Sequence, residues 1–230
     1  MTVILFDLEG TLIRSNWEEE EYVKEFRRRL RSRLIDLGIP SGIIKGIKKS
    51  TLMRNKASEY VQANFTTQRA KQFHVDMEKF LREHELKAAR SSRLYPEAIP
   101  TLKLLKMASY KLGLVTNTSK EALRLIFDKH ELKGYFDIIV TREDVDRLKP
   151  NPKGVLLALK KLRDKDFFLV GDQNHDALAA KNAGGMSIIV ERAHANSKFE
   201  KSSGDYKVAS LSGIIPLLTP VGGRTMNTTG

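Results

Sequence analysis

The texture of hydrophobic positions changes twice along the chain. Val3-Ile4-Leu5-Phe6 is a continuous apolar, β-rich run that stops at Asp7. Such a run reads as a strand buried on both faces, as in a parallel sheet. Gly10-Thr11 follows as a turn. Trp17, Tyr22, Phe26, Leu30, Leu34 and Leu37 then recur every three to five positions, with charge between them, up to Gly38-Ile39-Pro40. That spacing predicts an amphipathic helix with a Gly/Pro stop. Ser41 to Lys49 has room for a short helix. Leu52, Ala57, Tyr60, Val61 and Phe65 predict another, and Phe73, Met77, Phe80 and Leu81 a long one ending near Arg90-Ser91-Ser92. From Ile13 to Arg93 the pattern is helix-rich, with no convincing strand signal.

From Leu94 onward strands and helices alternate. Helices are predicted at Ala98 to Met107, Lys120 to Leu132, Lys153 to Leu162, Ala177 to Ala183 and Leu211 to Leu218. Strands are predicted at Leu112 to Val115, Phe136 to Val140, Phe167 to Val170, Ser187 to Val190 and, as an edge strand, Tyr206 to Val208. This alternation indicates βαβ units, an α/β fold with a parallel sheet and helices on both faces. The first strand then belongs with the second half. Residues 1–12 and 94–218 form the expected core, 13–93 a helical insertion, and the small, polar stretch 219–230 a flexible tail.

Composition narrows the class. The chain has 230 residues, 41% of them hydrophobic, and no cysteine. A chain of this size buries roughly 70% of its unfolded surface, so wholesale disorder is excluded. Disulfide scaffolds, thiolate metal sites and cysteine nucleophiles are excluded as well. The start, MTVILFDLEG, has no basic stretch and its apolar run is broken by Asp7 and Glu9, unlike a secretory signal. No apolar run approaches the roughly 20 residues that span a bilayer. A cytoplasmic protein without a membrane partner is expected, monomeric or homodimeric.

The net charge is +12, and the segment Leu12 to Tyr95 supplies an excess of eight of it. This favours anionic partners, either a small phosphorylated substrate or nucleic acid. The run Arg27-Arg28-Arg29-Arg31-Arg33 lies beside Glu18 to Glu21 on one predicted helix, which favours a solvated face. Aromatic interleaving for base stacking is thin, so nucleic acid is the lesser alternative.

In an open parallel sheet, ligands bind beyond the carboxyl ends of the strands. The strands here lead into Asp7, Glu9, Gly10 and Thr11; into Thr116, Asn117 and Thr118; one loop further on, into Lys149-Pro150; and into Gly171, Asp172 and Asp176. Singly, each has a bland reading as a turn former, a cap or a loop lysine. Together they would crowd carboxylates and a lysine at one edge, which a divalent cation resolves. Asp7 and Asp172 can share Mg²⁺, which favours carboxylate oxygens and a substrate phosphate. Asp7 then has an oxygen free to attack phosphorus, and Glu9 can protonate the leaving oxygen and later activate water. Lys149 and the Thr116 hydroxyl can hold the phosphoryl oxygens. His175 reads as a surface helix residue, and the other histidines lack metal-ligand spacing.

Phe6-Asp7-Leu8-Glu9-Gly10-Thr11-Leu12 resembles the first motif of the haloacid dehalogenase-like superfamily, DxDGT. Val115-Thr116-Asn117 resembles its second, Lys149-Pro150 its third, and Gly171-Asp172-Gln173-Asn174-His175-Asp176 its fourth, GDxxxD. The resemblance covers nearly the whole chain. It implies a Rossmann-like core, a helical C1 cap formed by the insertion, and chemistry like that of phosphoglycolate phosphatase-like enzymes or sugar-phosphate mutases. By this resemblance Asp7 is the nucleophile and Glu9 the acid/base. Thr116, Asn117 and Lys149 bind the phosphoryl group. Asp7, the backbone carbonyl of Glu9 and Asp172 hold Mg²⁺, with Asp176 a ligand or a carboxylate just behind one. Arg54 and Lys56 are candidate cap contacts to substrate.

Glu9 departs from the pattern, because most phosphatases of the family have Asp there. The extra methylene moves the carboxyl by roughly 1.5 Å. Enolase-phosphatases of the superfamily carry DxEGT, but their fourth motif does not look like GDQNHD. The carboxylate also argues against a dehalogenase. The expected activity is an Mg²⁺-dependent phosphatase acting on a small phosphorylated metabolite through an aspartyl-phosphate intermediate. The alternatives are a phosphomutase or phosphotransferase, and a non-catalytic relative binding anionic partners through its basic cap.

Overall fold

Every side chain of the first strand, β1 (Val3–Phe6), is buried, as its unbroken apolar run requires. The computed structural model describes residues 3–192 and 204–218. After β1 come β2 (Ile13–Arg14), α1 (Glu20–Asp36), α2 (Ser41–Ile44), α3 (Ser50–Asn64), α4 (Thr67–Ser91) and β3 (Arg93–Leu94). Alternation begins with α5 (Ala98–Met107), β4 (Lys111–Val115), α6 (Lys120–His130), β5 (Ile138–Val140) and α7 (Lys153–Leu162). It ends with β6 (Phe167–Gly171), α8 (Asn174–Asn182), β7 (Met186–Val190), β8 (Tyr206–Val208) and α9 (Ile214–Leu218). The expected tail, 219–230, lies outside the described residues.

Six strands form one parallel sheet in the order β5-β4-β1-β6-β7-β8. This is an α/β, Rossmann-like core, with β8 at the edge. Alternation along β1 sends Ile4 and Phe6 to one face, where Leu102 of α5 and Ile126 of α6 cover them. Val3 and Leu5 point to the other face, under Val155 and Ala158 of α7 and Ala180 of α8. Helices on both faces leave only the strand ends open, which places the chemistry there.

The inserted helices α1 to α4 enclose their own apolar cluster, with Leu30, Leu34, Met53, Val61 and Phe73 at its centre. One expectation is corrected here. The stretch from Ile13 to Arg93 is not free of strand: Ile13 pairs with Leu94 and Arg14 with Arg93 in a short antiparallel ladder where the insertion leaves and rejoins the core. Strands of two residues are too short to express a period of two. Trp17 likewise belongs to a 3-10 turn capped by Ser15, and α1 starts at Glu20.

The arginine run is largely taken up inside the insertion. Arg28 pairs with Glu25 at 2.8 Å, Arg33 with Asp76 at 3.4 Å, and Arg31 donates to the Ile47 carbonyl at 2.8 Å. The C-terminal half of α4 is tied to the core. Glu85 is buried there, accepting from Arg142 Nε at 2.9 Å and from the Ser119 N–H at 3.2 Å. Among the described residues no helix is long and apolar enough to cross a membrane.

Candidate active site

Asp7 is the first residue beyond β1, and its N–H donates to the Val170 carbonyl on β6 at 2.8 Å. The chain then turns sharply at Gly10, whose φ is +80° and whose N–H donates to the Ile13 carbonyl at 2.7 Å. A left-handed φ favours glycine, and here a Cβ would also collide with the Asp172 carboxylate. This turn therefore lets the loop after β1 approach the loop after β6. Gly171 does the same beside Asp176, where a side chain would meet that residue's carboxyl group.

The other sites converge on the same edge. Thr116 follows β4, is buried, and accepts from the Thr118 N–H at 3.2 Å through its Oγ1, which leaves its hydroxyl proton free to donate. Asp176 lies in the first turn of α8, which starts three residues before the apolar pattern predicts because a capping box joins Gln173 and Asp176. Capping residues are polar and contribute nothing to a hydrophobic period.

Lys149 joins these loops. Its ammonium, 2% exposed, donates to Asp7 Oδ1 at 2.7 Å, Asp176 Oδ1 at 2.7 Å and the Val115 carbonyl at 2.8 Å. All three of its donors are used. Burial alone would pull the lysine pKa down, but Asp176 and Asp7 outweigh it, so the pKa stands above its ordinary value. Burial pushes Asp7 up despite Lys149. Asp176 ends below its ordinary value, because His175 and Lys149 together overcome its burial. Asp172 is the outlier. Burial, then Asp176 and Asp7, drive it well above the carboxylate range.

The charges explain why. Fully ionised, Asp7, Asp172 and Asp176 set three negative charges against one lysine. Asp172 Oδ1 is buried with no hydrogen-bond partner among the described residues. So is Asn117 Nδ2, while Asn117 Oδ1 accepts from the Lys149 N–H at 3.2 Å. The edge thus holds an uncompensated acceptor and an uncompensated donor. Buried polar atoms are rarely left so, and each costs about 1–3 kcal/mol if it stays unmet. An excess of two negative charges and an oxygen donor set fit a divalent cation.

His175 corrects a second expectation. Its side chain is 15% exposed and its Nε2 lies 3.6 Å from Asp176 Oδ1. With Asp7 and Asp176 it completes a group whose donor atoms all lie within 4.8 Å of one another, a geometry that could hold a metal ion. It is therefore not a freely exposed helix residue: the first turn of α8 sets it beside the Asp176 carboxylate.

Glu9 is half-buried, and its Oε2 accepts from the Ser15 hydroxyl at 2.6 Å. Burial raises its pKa to about 8 against that bond, with Asp7 adding to the rise. Arg54 on α3 is half-buried and forms no hydrogen bond or ion pair with the described residues. Burial pulls its pKa down to about 10, with Glu85, Arg142 and Glu78 as its charged surroundings. Lys56 is not brought to this cluster. It is exposed and paired with Glu59 at 2.8 Å. Two helical positions apart, Arg54 and Lys56 are separated by about 200° around α3, so they cannot both face the core.

Comparison with known proteins agrees with the arrangement. The family model for haloacid dehalogenase-like hydrolases matches residues 1–184. The chain is 27% identical to pyrophosphatase PpaX of Bacillus mycoides (strain KBAB4) over 229 residues, which cover 97% of this chain and 99% of that protein. A haloacid dehalogenase-like hydrolase from Bacteroides fragilis superposes with a TM-score of 0.66 at 26% identity, covering 93% of this chain and 99% of the other. A phosphatase from Thermococcus onnurineus superposes with a TM-score of 0.58 at 28% identity, covering 95% and 98%.

Proposed function

The chain belongs to the haloacid dehalogenase-like hydrolases, and from that premise we propose that it is an Mg²⁺-dependent phosphatase of small phosphorylated metabolites. The observation that carries this reading is the pair of unmet polar atoms at the strand ends. Asp172 Oδ1 and Asn117 Nδ2 are buried without a partner among the described residues, at the same sheet edge as the lysine bonded to Asp7. A metal ion and a phosphoryl group together supply what both atoms lack. The name of the PpaX relatives makes inorganic pyrophosphate the first candidate substrate.

In this mechanism Lys149 holds Asp7 by Oδ1, leaving the other carboxylate oxygen to attack phosphorus in line with the leaving group. The Thr116 hydroxyl and Asn117 Nδ2 donate to the phosphoryl oxygens, where charge develops, and the Lys149 ammonium adds its positive charge while still bonded to Asp7. As the bond to the leaving oxygen breaks, Glu9 gives up its proton to that oxygen. Its raised pKa keeps it protonated at neutral pH. The Glu9 carboxylate then takes a proton from water, whose oxygen attacks the aspartyl phosphate. The Asp7–phosphorus bond breaks, phosphate leaves, and Glu9 is protonated again. Bound by Asp7, the Glu9 carbonyl and Asp172, with Asp176 just behind, Mg²⁺ would supply positive charge at the phosphoryl group. The inserted helices act as a cap excluding bulk water, and Arg54, unpaired on the cap, offers a guanidinium to an anionic leaving group.

The test is phosphate release from pyrophosphate, p-nitrophenyl phosphate and a panel of sugar and small-acid phosphates, with Mg²⁺ or with chelator, for wild type and Asp7→Asn. Turnover that vanishes with chelator and in the variant supports the reading. A folded, Mg²⁺-loaded protein that releases no phosphate from any of them overturns it.

A further inference from the structure

Asn55 lies on α3, in the insertion, and its side-chain amide pairs with the backbone of a single core residue 93 positions away. The Leu148 N–H donates to Asn55 Oδ1 at 3.0 Å, and Asn55 Nδ2 donates to the Leu148 carbonyl at 3.0 Å. Leu148 is buried and immediately precedes Lys149. The next amide, the Lys149 N–H, donates to Asn117 Oδ1 at 3.2 Å. Two consecutive backbone amides are thus held by two asparagines, one from the insertion and one from the core.

A second polar contact between α3 and this loop lies nearer the surface. Arg147 and Glu59 form an ion pair at 2.8 Å, but both side chains are about one-third exposed. A cleft of about 480 Å³ opens alongside, lined by Asn55, Arg147, Pro150 and Asn182 among others. The bidentate amide pair is the directional part of the contact, half-buried and made to the backbone of a buried residue. If α3 swings away, Leu148 loses the partner of its N–H, and of these two consecutive amides only that of Lys149 keeps its asparagine.

We propose that Asn55 is a positioning residue that sets the register of Lys149 when the insertion closes over the core. This rests on the phosphatase reading, in which Lys149 holds Asp7 and sets its positive charge beside the phosphoryl group. Catalytic groups must be held to within about 0.5 Å, and a displacement of about 1 Å can cost a hundredfold in rate. Asn55 touches no reacting atom. It couples closure of the insertion to the placement of the one ammonium that bridges Asp7 and Asp176.

The test compares full-length wild type, Asn55→Ala and Glu59→Gln. Mg²⁺-dependent hydrolysis of p-nitrophenyl phosphate is measured, with amide hydrogen exchange in the segment containing Leu148. Alanine is a strong helix former, so α3 is kept. The expected result for Asn55→Ala is a kcat lowered about ten- to a hundredfold with KM within about threefold. Exchange at Leu148 should quicken while the rest of the chain stays as in wild type. Glu59→Gln, which leaves the amide pair intact, should stay within about twofold in kcat. An unchanged kcat in Asn55→Ala overturns the proposal, as does an equal loss in both variants or a loss confined to KM. A wild type that hydrolyses neither p-nitrophenyl phosphate nor pyrophosphate nor any phosphate of the panel overturns the phosphatase reading instead, and the exchange measurement then decides whether Asn55 holds Leu148.

Discussion

The Ser15 hydroxyl donates to Glu9 Oε2 at 2.6 Å, across the turn that carries the chain from β1 into the insertion. The bond fixes one oxygen of the residue in which this sequence departs from its family's commoner aspartate. It also favours the ionised form, and burial overrides it to leave the carboxyl titrating at about 8. An acid that must be protonated to serve the leaving group loses activity as pH rises through its pKa. The kcat profile for a poor leaving group, such as an alkyl phosphate, should therefore fall on its alkaline side near pH 8. Glu9→Gln should lower kcat by about 10²–10⁴, the usual span of general acid catalysis. Ser15→Ala removes a bond that stabilises the carboxylate, so its alkaline limb should move to higher pH. A limb that stays in place in Ser15→Ala, or moves down, would contradict the assignment.

Asp7→Asn and Lys149→Met should separate stability from activity. The asparagine removes one charge from a site with too many carboxylates and leaves the bond between Lys149 and Asp176. Its urea midpoint should match or exceed wild type while phosphate release is lost. Lys149→Met leaves Asp7 and Asp176 facing each other, buried and without their cation. Breaking a buried ion pair from one side costs about 3–5 kcal/mol, so this variant should unfold at clearly lower urea and also be inactive. Equilibrium urea unfolding by circular dichroism, run beside the activity assay, checks both.

Two donor sets overlap in the candidate metal site, and they predict different variants. Lys149 pairs directly with Asp7 and Asp176 at 2.7 Å each, whereas Asp172, driven upward by burial and by those two carboxylates, has an oxygen with no partner among the described residues. Mg²⁺ at a hundred times its Kd adds about 2.7 kcal/mol of stability. Wild type should therefore melt at a higher temperature with Mg²⁺ than with chelator, and Asp172→Asn should lose that increment. His175→Ala should keep most of it. The reverse pattern would move the ion to the group formed by Asp7, His175 and Asp176.

Much of this was legible in the sequence where a residue's role depends on its own segment. The bounds predicted for α5, α7 and β8 coincide with those observed, because each is a complete apolar period between clear stops. Asp7, Thr116 and Asp172 follow directly from the strands that end before them. Contacts between segments far apart in the chain leave no such mark. Asn55 meets Leu148 through side-chain geometry that no periodicity encodes. His175 sits in a polar first turn where the hydrophobic pattern has not yet begun, so the direction it faces is set by the capping of α8. Arg54 and Lys56 look equivalent as cations, and only the rotation of α3 distinguishes them.

His84 allows a pH test of the insertion that is independent of catalysis. Its ring is 5% exposed and packs edge-on against Phe26, with centroids 4.9 Å apart, while Nδ1 lies 3.1 Å from the Tyr22 hydroxyl. Its Nε2 is buried without a partner among the described residues. Burial, reinforced by Arg29, holds its pKa below the ordinary 6.5. The unfolded chain therefore takes up a proton as pH drops below about 6.5, before the folded one does. Linkage then requires stability to be intact above that pH and to decline below it. The urea midpoint should fall between pH 7 and 5.5 in wild type. His84→Phe, which fills the same aromatic pocket and cannot titrate, should flatten that part of the profile. The folded histidine gains nothing from protonation, because the groups facing it include Arg29 and Lys87 as well as Glu83 and Glu25, and the two cations cancel what the carboxylates would contribute.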